Sequence, residues 1–541
     1  MSDTTGQTMK TPRVSGAVLR RAGAAALLLG FALGAEACRT NEDNIRHWAT
    51  TVQGPKKLIA VLTHDKYPIE LRVDAALALI RMKPRNGRRI GIDGSDDQPG
   101  LIAALTQLPP ATRTAIISRL VPALEAEISK PPPVAQAGQA TPADPSVPYK
   151  DAAFALLTTD GGRLLGDPAL RQSLRTALSG WIATAFAQRF DDSSQTYAVK
   201  QMVGELRAEA VKPLPNLIQP GAAKIDALAE LIADYGDPQT KAQASERIVA
   251  VARDVDSDAW IKQKSPGVEA ANKASKLAPT PEQFKAQMEQ YQQEELLRVF
   301  ASMKRIGGAP VVEFLLRVAQ DKNHDPKIRA GALAALQSNM DRTNTAQADA
   351  VLAVAAAPDT PDQVRDVALQ RAGEFPRNMV VEKLYQLFSS PSWKVRWVAA
   401  ELVLKMSDTS QLPEFMDHIG KAEGMAITEP LRYGSLIAEM KGSAPPAKVI
   451  EPYLGSSHPA PARLTALGYY YEKGTKNDLG KLSHLEEGDH TKTPTCAKDA
   501  EGCEWKCEVA GEGKRETKDI ATVGEFFSYC IKPAMEKRTA P

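Results

Sequence analysis

The sequence predicts an all-α fold: stacked antiparallel helix pairs closed by a small disulfide-rich C-terminal module. Three observations carry this prediction. Arginines recur in a near-constant register, prolines stand where helices begin, and four of the five cysteines crowd the last 46 residues. A chain of 541 residues exceeds what one compact core supports, so several domains or a repeat array are expected. The text is alanine-rich, with 43% apolar and only 6% aromatic residues, which favours close helix-on-helix packing over sheets.

The repeats are found by aligning Arg329, Arg365, Arg396, Arg432 and Arg463, spaced 36, 31, 36 and 31 residues apart. The third residue after each is small (Ala332, Ala368, Ala399, Ser435, Ala466). The fourth is Leu333, Leu369, Ala400, Leu436 or Leu467. Prolines precede them at Pro326, Pro361, Pro391, Pro430 and Pro459, and an N-terminal copy reads Pro68, Arg72, Ala75, Ala76. Proline is tolerated in a first helical turn and starts a helix there. Thr360 and Ser390 supply N-cap chemistry beside it. Shorter apolar helices lie upstream at 311–319, 348–356 and 380–388, and such pairs bury their faces only by stacking.

The second helices begin KIRAGAL, QVRDVAL, KVRWVAA and ELRVDAA, and in this they resemble HEAT repeats. The resemblance covers 307–475 and 55–83. It implies an α-solenoid that binds proteins, with each arginine paired to an acid at the inter-helix turn of a neighbouring repeat, here Asp325 or Asp362. Some HEAT-like proteins are bilin lyases, which is the enzymatic alternative. A structural envelope protein with a fixed partner is the other.

The N-terminus reads as an export signal over 1–37. Arg20 and Arg21 precede the apolar run from Ala22 to Ala35, too short to span a bilayer and suited to a signal h-region. Met9 is an alternative start. Ala35-Glu36-Ala37-Cys38 resembles a bacterial lipobox, which implies acylation of Cys38; it departs from that pattern in lacking Leu at 35 and in Glu36. The same residues satisfy ordinary cleavage before Cys38, leaving a free thiol. Cys38 is the odd cysteine, distant from the other four. Arg39 stands where an Asp would imply inner-membrane retention, so the lipoprotein resemblance implies the outer membrane, facing periplasm or cell surface. The chain as a whole is similar to bacterial HEAT-repeat lipoproteins.

The expected organisation is a signal at 1–37, an N-terminal helical region at 38–130, a Pro/Ala-rich linker at 131–148 and a degenerate helical region at 149–278. A long helix at 279–306, HEAT repeats at 307–475 and a Cys-rich module at 476–541 follow. Thr280, Pro281 and Gln283 spell a capping box at the long helix. In the terminal module Cys496, Cys503, Cys507 and Cys530 are spaced for two disulfides in an oxidising compartment, with three connectivities open; pairing of Cys503 with Cys507 is disfavoured as a tight loop. Val523, Phe526, Phe527 and Ile531 mark an amphipathic helix carrying Cys530. Zinc held with His484 and His490 is the rival, but structural zinc sites use closer C-x2-C knuckles.

Residues 1–37 hold four of the chain's 67 basic residues and two of its 65 acidic ones. The rest is therefore neutral, at 63 of each, with no electrostatic footprint for nucleic acid. No catalytic signature of the G-x-S-x-G, H-E-x-x-H, P-loop or G-x-G-x-x-G type occurs, and no cofactor or metal is expected. Asp93, Asp96 and Asp97 lack the terminal acidic ligand of an EF-hand and read as a solvated turn. His64, His324 and His458 fall at corresponding turns between paired helices. Trp393 and Trp397, one helical turn apart, are the candidate contacts for a protein partner.

Overall fold

A computed structural model describes residues 40–84, 89–133, 142–486, 489–494, 505–510 and 515–538. Cys38, Cys496, Cys503 and the export signal lie outside these residues. The described chain is predominantly helical, and none of its helices is long and apolar enough to cross a membrane. It forms two compact units that divide between Ala210 and Val211. That division falls inside the region read as degenerate, not at the proline-rich segment.

The first unit contains α1 (Glu42–Trp48), α2 (Gly54–Thr63), α3 (Ile69–Arg81), α4 (Leu101–Gln107), α5 (Pro110–Ile128), α6 (Val147–Thr158), α7 (Pro168–Ala183) and α8 (Val199–Leu206). The predicted N-terminal copy is the pair α2–α3, and Pro68 stands at the N-cap of α3. Helix α5 packs on α3, α6 and α7, burying Ile116, Ile117, Leu120 and Leu124. The expected linker is shorter than 131–148: Asp144 and Ser146 are buried and α6 starts at Val147. Between Ile90 and Gly100 lie a helical turn and a two-residue hairpin, in which Gly94 adopts a φ of 87°.

The second unit opens with α9 (Ile225–Tyr235), α10 (Pro238–Val255) and α11 (Asp258–Ala274), then the long α12 (Pro281–Ile306). The Thr280–Gln283 capping box is formed in both directions. The C-terminal half of α12 is core, burying Leu296, Val299, Phe300, Met303 and Ile306 against α9, α10 and α14 (Pro326–Ala335). Its N-terminal half pairs with α11, through Trp260 against Tyr291 and an amide-to-amide bond between Asn272 and Gln287.

From α13 (Ala309–Gln320) onward the helices alternate in two rows. α13, α15 (Thr345–Ala356) and α17 (Arg377–Gln386) contact one another in sequence. α14, α16 (Asp362–Ala372), α18 (Trp393–Lys405) and α20 (Thr428–Glu439) do the same. α19 (Leu412–Ile419) and α21 (Ala460–Lys473) complete the series. Each helix thus meets its hairpin partner and the equivalent helix of the next pair.

At three of its positions the recurrent arginine makes the same contact. Arg72 Nε donates to Leu62 O at 2.7 Å, Arg329 Nε to Ala319 O at 2.9 Å and Arg365 Nε to Ala355 O at 3.0 Å. In each case the acceptor lies ten residues upstream, in the last turn of the preceding helix. Those carbonyls have no partner inside their own helix, and a cation there also meets the negative end of the helix dipole. Arg463 Nε reaches Leu454 O, nine residues upstream, whereas Arg396 places Nη1 on Ser390 O, just past the preceding helical stretch, and Nε on Glu429. All five guanidiniums are buried.

Two expectations about this register are corrected. Asp325 and Asp362 do not pair with a neighbouring repeat's arginine. Asp325 caps its own α14 by accepting from Lys327 N, and Asp362 faces Arg365 of its own helix. The acid partners are Glu429, bound by Arg396 at 2.8 Å, and Asp489, bound by Arg463. Arg432 is also out of register. It is exposed, whereas Pro430, Tyr433, Gly434 and Ile437 face inward on α20. The small residue at the crossing is therefore Gly434, not Ser435. A Cβ at Gly434 would come within 2.0 Å of the Gly468 carbonyl carbon, so α20 and α21 touch backbone to backbone.

The C-terminal module contains a β-hairpin that the sequence did not announce: β1 (Lys506–Ala510) antiparallel to β2 (Arg515–Asp519). The disulfide Cys507–Cys530 ties it to the helical stretch α22 (Val523–Phe526), a π turn (Phe527–Ile531) and α23 (Lys532–Glu536). Val523, Phe526, Phe527 and Ile531 are all fully buried, as the amphipathic pattern required. The module packs on α21, and Trp505 Nε1 donates to Met425 O at 3.0 Å.

The arginine register predicts an ordered mutational series. Arg329→Ala is expected to cost about 1.5–3 kcal/mol, the worth of charge-assisted hydrogen bonds. Arg396→Ala strands the buried Glu429 and is expected to cost about 3–5 kcal/mol. Arg432→Ala is expected to stay within about 0.5 kcal/mol. Urea unfolding followed by circular dichroism measures all three.

Candidate functional site

The predicted contact residues come together with the arginine that left the repeat register. Trp393 and Trp397 lie on one face of α18, four residues apart, with ring centroids 5.9 Å apart and planes within 20°. Both are half-buried. The Arg432 guanidinium, projecting from α20, sits 5.4 Å from the centroid of the Trp397 ring. The three groups form a ladder across two adjacent second helices. Among the described residues, buried Trp397 Nε1 has no acceptor and no carboxylate pairs with Arg432. A guanidinium held against an indole is pre-oriented while its edge donors stay open to a carboxylate. Lys394, between the tryptophans, is drawn the other way to Asp362 at 3.6 Å.

A second cluster, unforeseen in the sequence, is buried in the first unit. The Lys150 ammonium is fully buried and has three acceptors: Asp151 Oδ1 at 2.6 Å, Tyr197 O at 2.6 Å and Gln195 Oε1 at 3.1 Å. Burial pushes the Lys150 pKa down and Asp151 opposes this. Only the charged form has three protons for those three acceptors, so the geometry describes an ammonium. Asp151 also pairs with Arg89 Nε at 2.7 Å and accepts from Thr196 N and Tyr197 N. Arg189 is likewise buried. It donates to Asp144 at 2.9 Å, to Trp181 O at 2.7 Å and to Lys130 O at 3.3 Å, with its guanidinium 4.3 Å from the Trp181 ring centroid. Trp181 Nε1 donates to Ser146 Oγ at 2.8 Å. Arg189 therefore grips the chain on both sides of the proline-rich segment. Arg89 Nε meets Asp151 as an ion pair and not as a well-aligned hydrogen bond, and the other polar groups named here are engaged in holding chain, so we assign the cluster to folding. The signal that pointed to it is the Lys150-Asp151 pair inside the otherwise apolar run that forms α6.

A third group lies where α17 meets α19. Tyr385 and His418 stack at 3.8 Å, and Arg377 bridges Tyr385 Oη at 3.1 Å and Glu414 at 2.6 Å. Burial pushes the Tyr385 hydroxyl up to about 12, so it stays protonated at neutral pH and cannot serve as a base. A cleft of 660 Å³ in the first unit is lined by Glu42, Lys66, Tyr67, Glu70 and Asp74 among others, and its Glu70 is taken by Arg119.

The three turn histidines have different fates. His64 faces Asp65 at 3.0 Å, His458 lies against Tyr453, and His324 is held between Asp256 and Asp321. His484 and His490 are exposed, and Cys507 and Cys530 are oxidised to each other. Among the described residues no group of three His, Cys, Asp or Glu is placed to hold a metal. Cys38, Cys496 and Cys503 lie outside the described residues. No protein family matches the sequence, and no characterised protein matches it.

The buried cluster predicts a rank order. Arg189→Met leaves Asp144 buried with only neutral partners and is expected to cost about 3–5 kcal/mol. Lys150→Met leaves Asp151 paired with Arg89 and is expected to cost less, about 1–3 kcal/mol. Denaturant midpoints would give the order, and a reversed one would mean that Asp151 depends on Lys150 more than on Arg89.

Proposed function

We propose that this chain is an exported, lipid-anchored, non-catalytic scaffold of the HEAT type that holds a protein partner at the cell envelope. The observation that carries the reading is the arginine repeated at equivalent positions, which at Arg72, Arg329 and Arg365 ties a helix to the last turn of its hairpin partner. Two rows of helices packed pair on pair support a solenoid, since repeats of this kind bury their faces only by stacking. The N-terminal sequence supports the compartment, through the apolar run ending at Ala35 and the lipobox-like residues before Cys38. The Cys507–Cys530 disulfide agrees with an oxidising environment.

The Trp393–Trp397–Arg432 ladder is the contact site we assign. Half-buried tryptophans beside an arginine that no described carboxylate pairs have the composition of a binding hot spot. The partner it fits presents a carboxylate next to an apolar side chain.

Two measurements test this reading. Intact mass of the mature protein, alkylated without reduction, is expected to show acylated Cys38 and no alkylated thiol. An unmodified N-terminus with alkylated thiols would sink the envelope assignment. A photocrosslinker placed at Lys394 is expected to capture one discrete partner in native envelopes. Trp397→Ala and Arg432→Ala are each expected to weaken that capture by at least about tenfold, a hot-spot loss near 1.4 kcal/mol or more. Unchanged capture by both variants would remove the ladder from the interface.

A further inference from the structure

His324 lies in the turn between α13 and α14 and reaches across to the end of α10. Its Nε2 is 3.1 and 3.0 Å from the two oxygens of Asp256. Its Nδ1 is buried and lies 3.3 Å from Asp321 Oδ2, an ion-pair contact and not a well-aligned hydrogen bond. Both ring nitrogens therefore face carboxylates. A neutral imidazole must turn one lone pair toward an anion, whichever tautomer it adopts. Only the imidazolium satisfies both sides.

The other charged groups at this turn are already engaged. Asp325 caps α14, and Lys322 is drawn to Asp359 on the turn before α16, at 2.6 Å. Asp321 also accepts from Asn323 N, which holds its carboxyl below the usual range. The hydrogen bond that His324 donates to Asp256 leads the causes that raise its pKa, against an opposing effect of burial.

Asp256 sits at a sensitive place. It is the C-cap residue of α10, and the next residue, Ser257, caps α11 by accepting from Trp260 N. Helix α11 buries only Trp260 and Asn272 of its 17 residues, packing chiefly on α10 and α12. The turn that aims it is held from one side by Gln292, which donates to Val255 O at 2.7 Å and Ser257 O at 3.2 Å. It is held from the other side by His324.

We infer that His324 is a pH-sensitive latch that fixes the root of α11 when protonated and releases it when neutral. The sign follows from linkage. A histidine whose pKa is raised on folding contributes stability that is fully present below its ordinary value of about 6.5. That contribution is lost as pH rises through the folded value. The latch is therefore closed in mildly acidic surroundings and opens toward alkaline pH.

The test uses the full chain. The C2 proton of His324, followed by NMR, is expected to titrate above about 6.5. Amide-exchange protection over 256–262, corrected for intrinsic rates, is expected to fall by roughly threefold to tenfold between about pH 6 and pH 9. His324→Gln is expected to show the low protection at every pH. Asp256→Asn keeps the ring and should bring its titration down while flattening the exchange profile. A His324 that titrates at or below its ordinary value would overturn the latch. So would an exchange profile shared by wild type and both variants.

Discussion

The second unit rests on a repeated contact between an arginine and the end of the preceding helix. A helix that stops inside a protein leaves carbonyls without partners, and burying them unmet costs free energy. Here one arginine, fixed near the start of a second helix, reaches back to meet them. The contact satisfies a backbone acceptor and places positive charge at the negative end of a dipole. It also sets the angle between the two helices of a pair, because the guanidinium reaches only when the hairpin closes correctly. Stacking of pair on pair then follows from the small residue that comes three positions later and the apolar residue, mostly leucine, beside it.

Where the acceptor is more than a carbonyl, the joint changes character. At Arg396 the acceptor set includes Glu429 from α20, the second helix of the next pair, itself bound by Tyr433 and by Ala426 N. At Arg463 it includes Asp489 and Thr491, which lead into the C-terminal module. The same residue type thus closes a pair in the middle of the series and binds one element to the next toward its end.

Much of this was legible in the sequence. The helix pairs, the Thr280 capping box and the buried face of Val523, Phe526, Phe527 and Ile531 each come from spacing that local physics enforces. What was illegible depends on which face of a helix turns inward. Arg432 matched the spacing, yet α20 is rotated so that Pro430 and Gly434 face the neighbour, and no residue count reveals a rotation of a third of a turn. The β1–β2 hairpin escaped notice because its strands are polar and short, with a disulfide supplying what an apolar face would otherwise give. The Arg189 and Lys150 cluster was hidden for another reason. Its members are scattered between Arg89 and Tyr197, and charged residues in a sequence ordinarily signal a solvated surface.

The backbone contact between Gly434 and Gly468 has a mechanical meaning. Other joints of the series are cushioned by side chains, which can change rotamer or slide by a fraction of an ångström. At this one nothing compliant lies between the helices, so α20 and α21 move as a single stiff body. Pro430, whose carbonyl bears on Gly468, follows Glu429, the anchor of Arg396. A displacement of α21 would thus reach Pro430 directly and, through the next residue, the carboxylate that Arg396 holds.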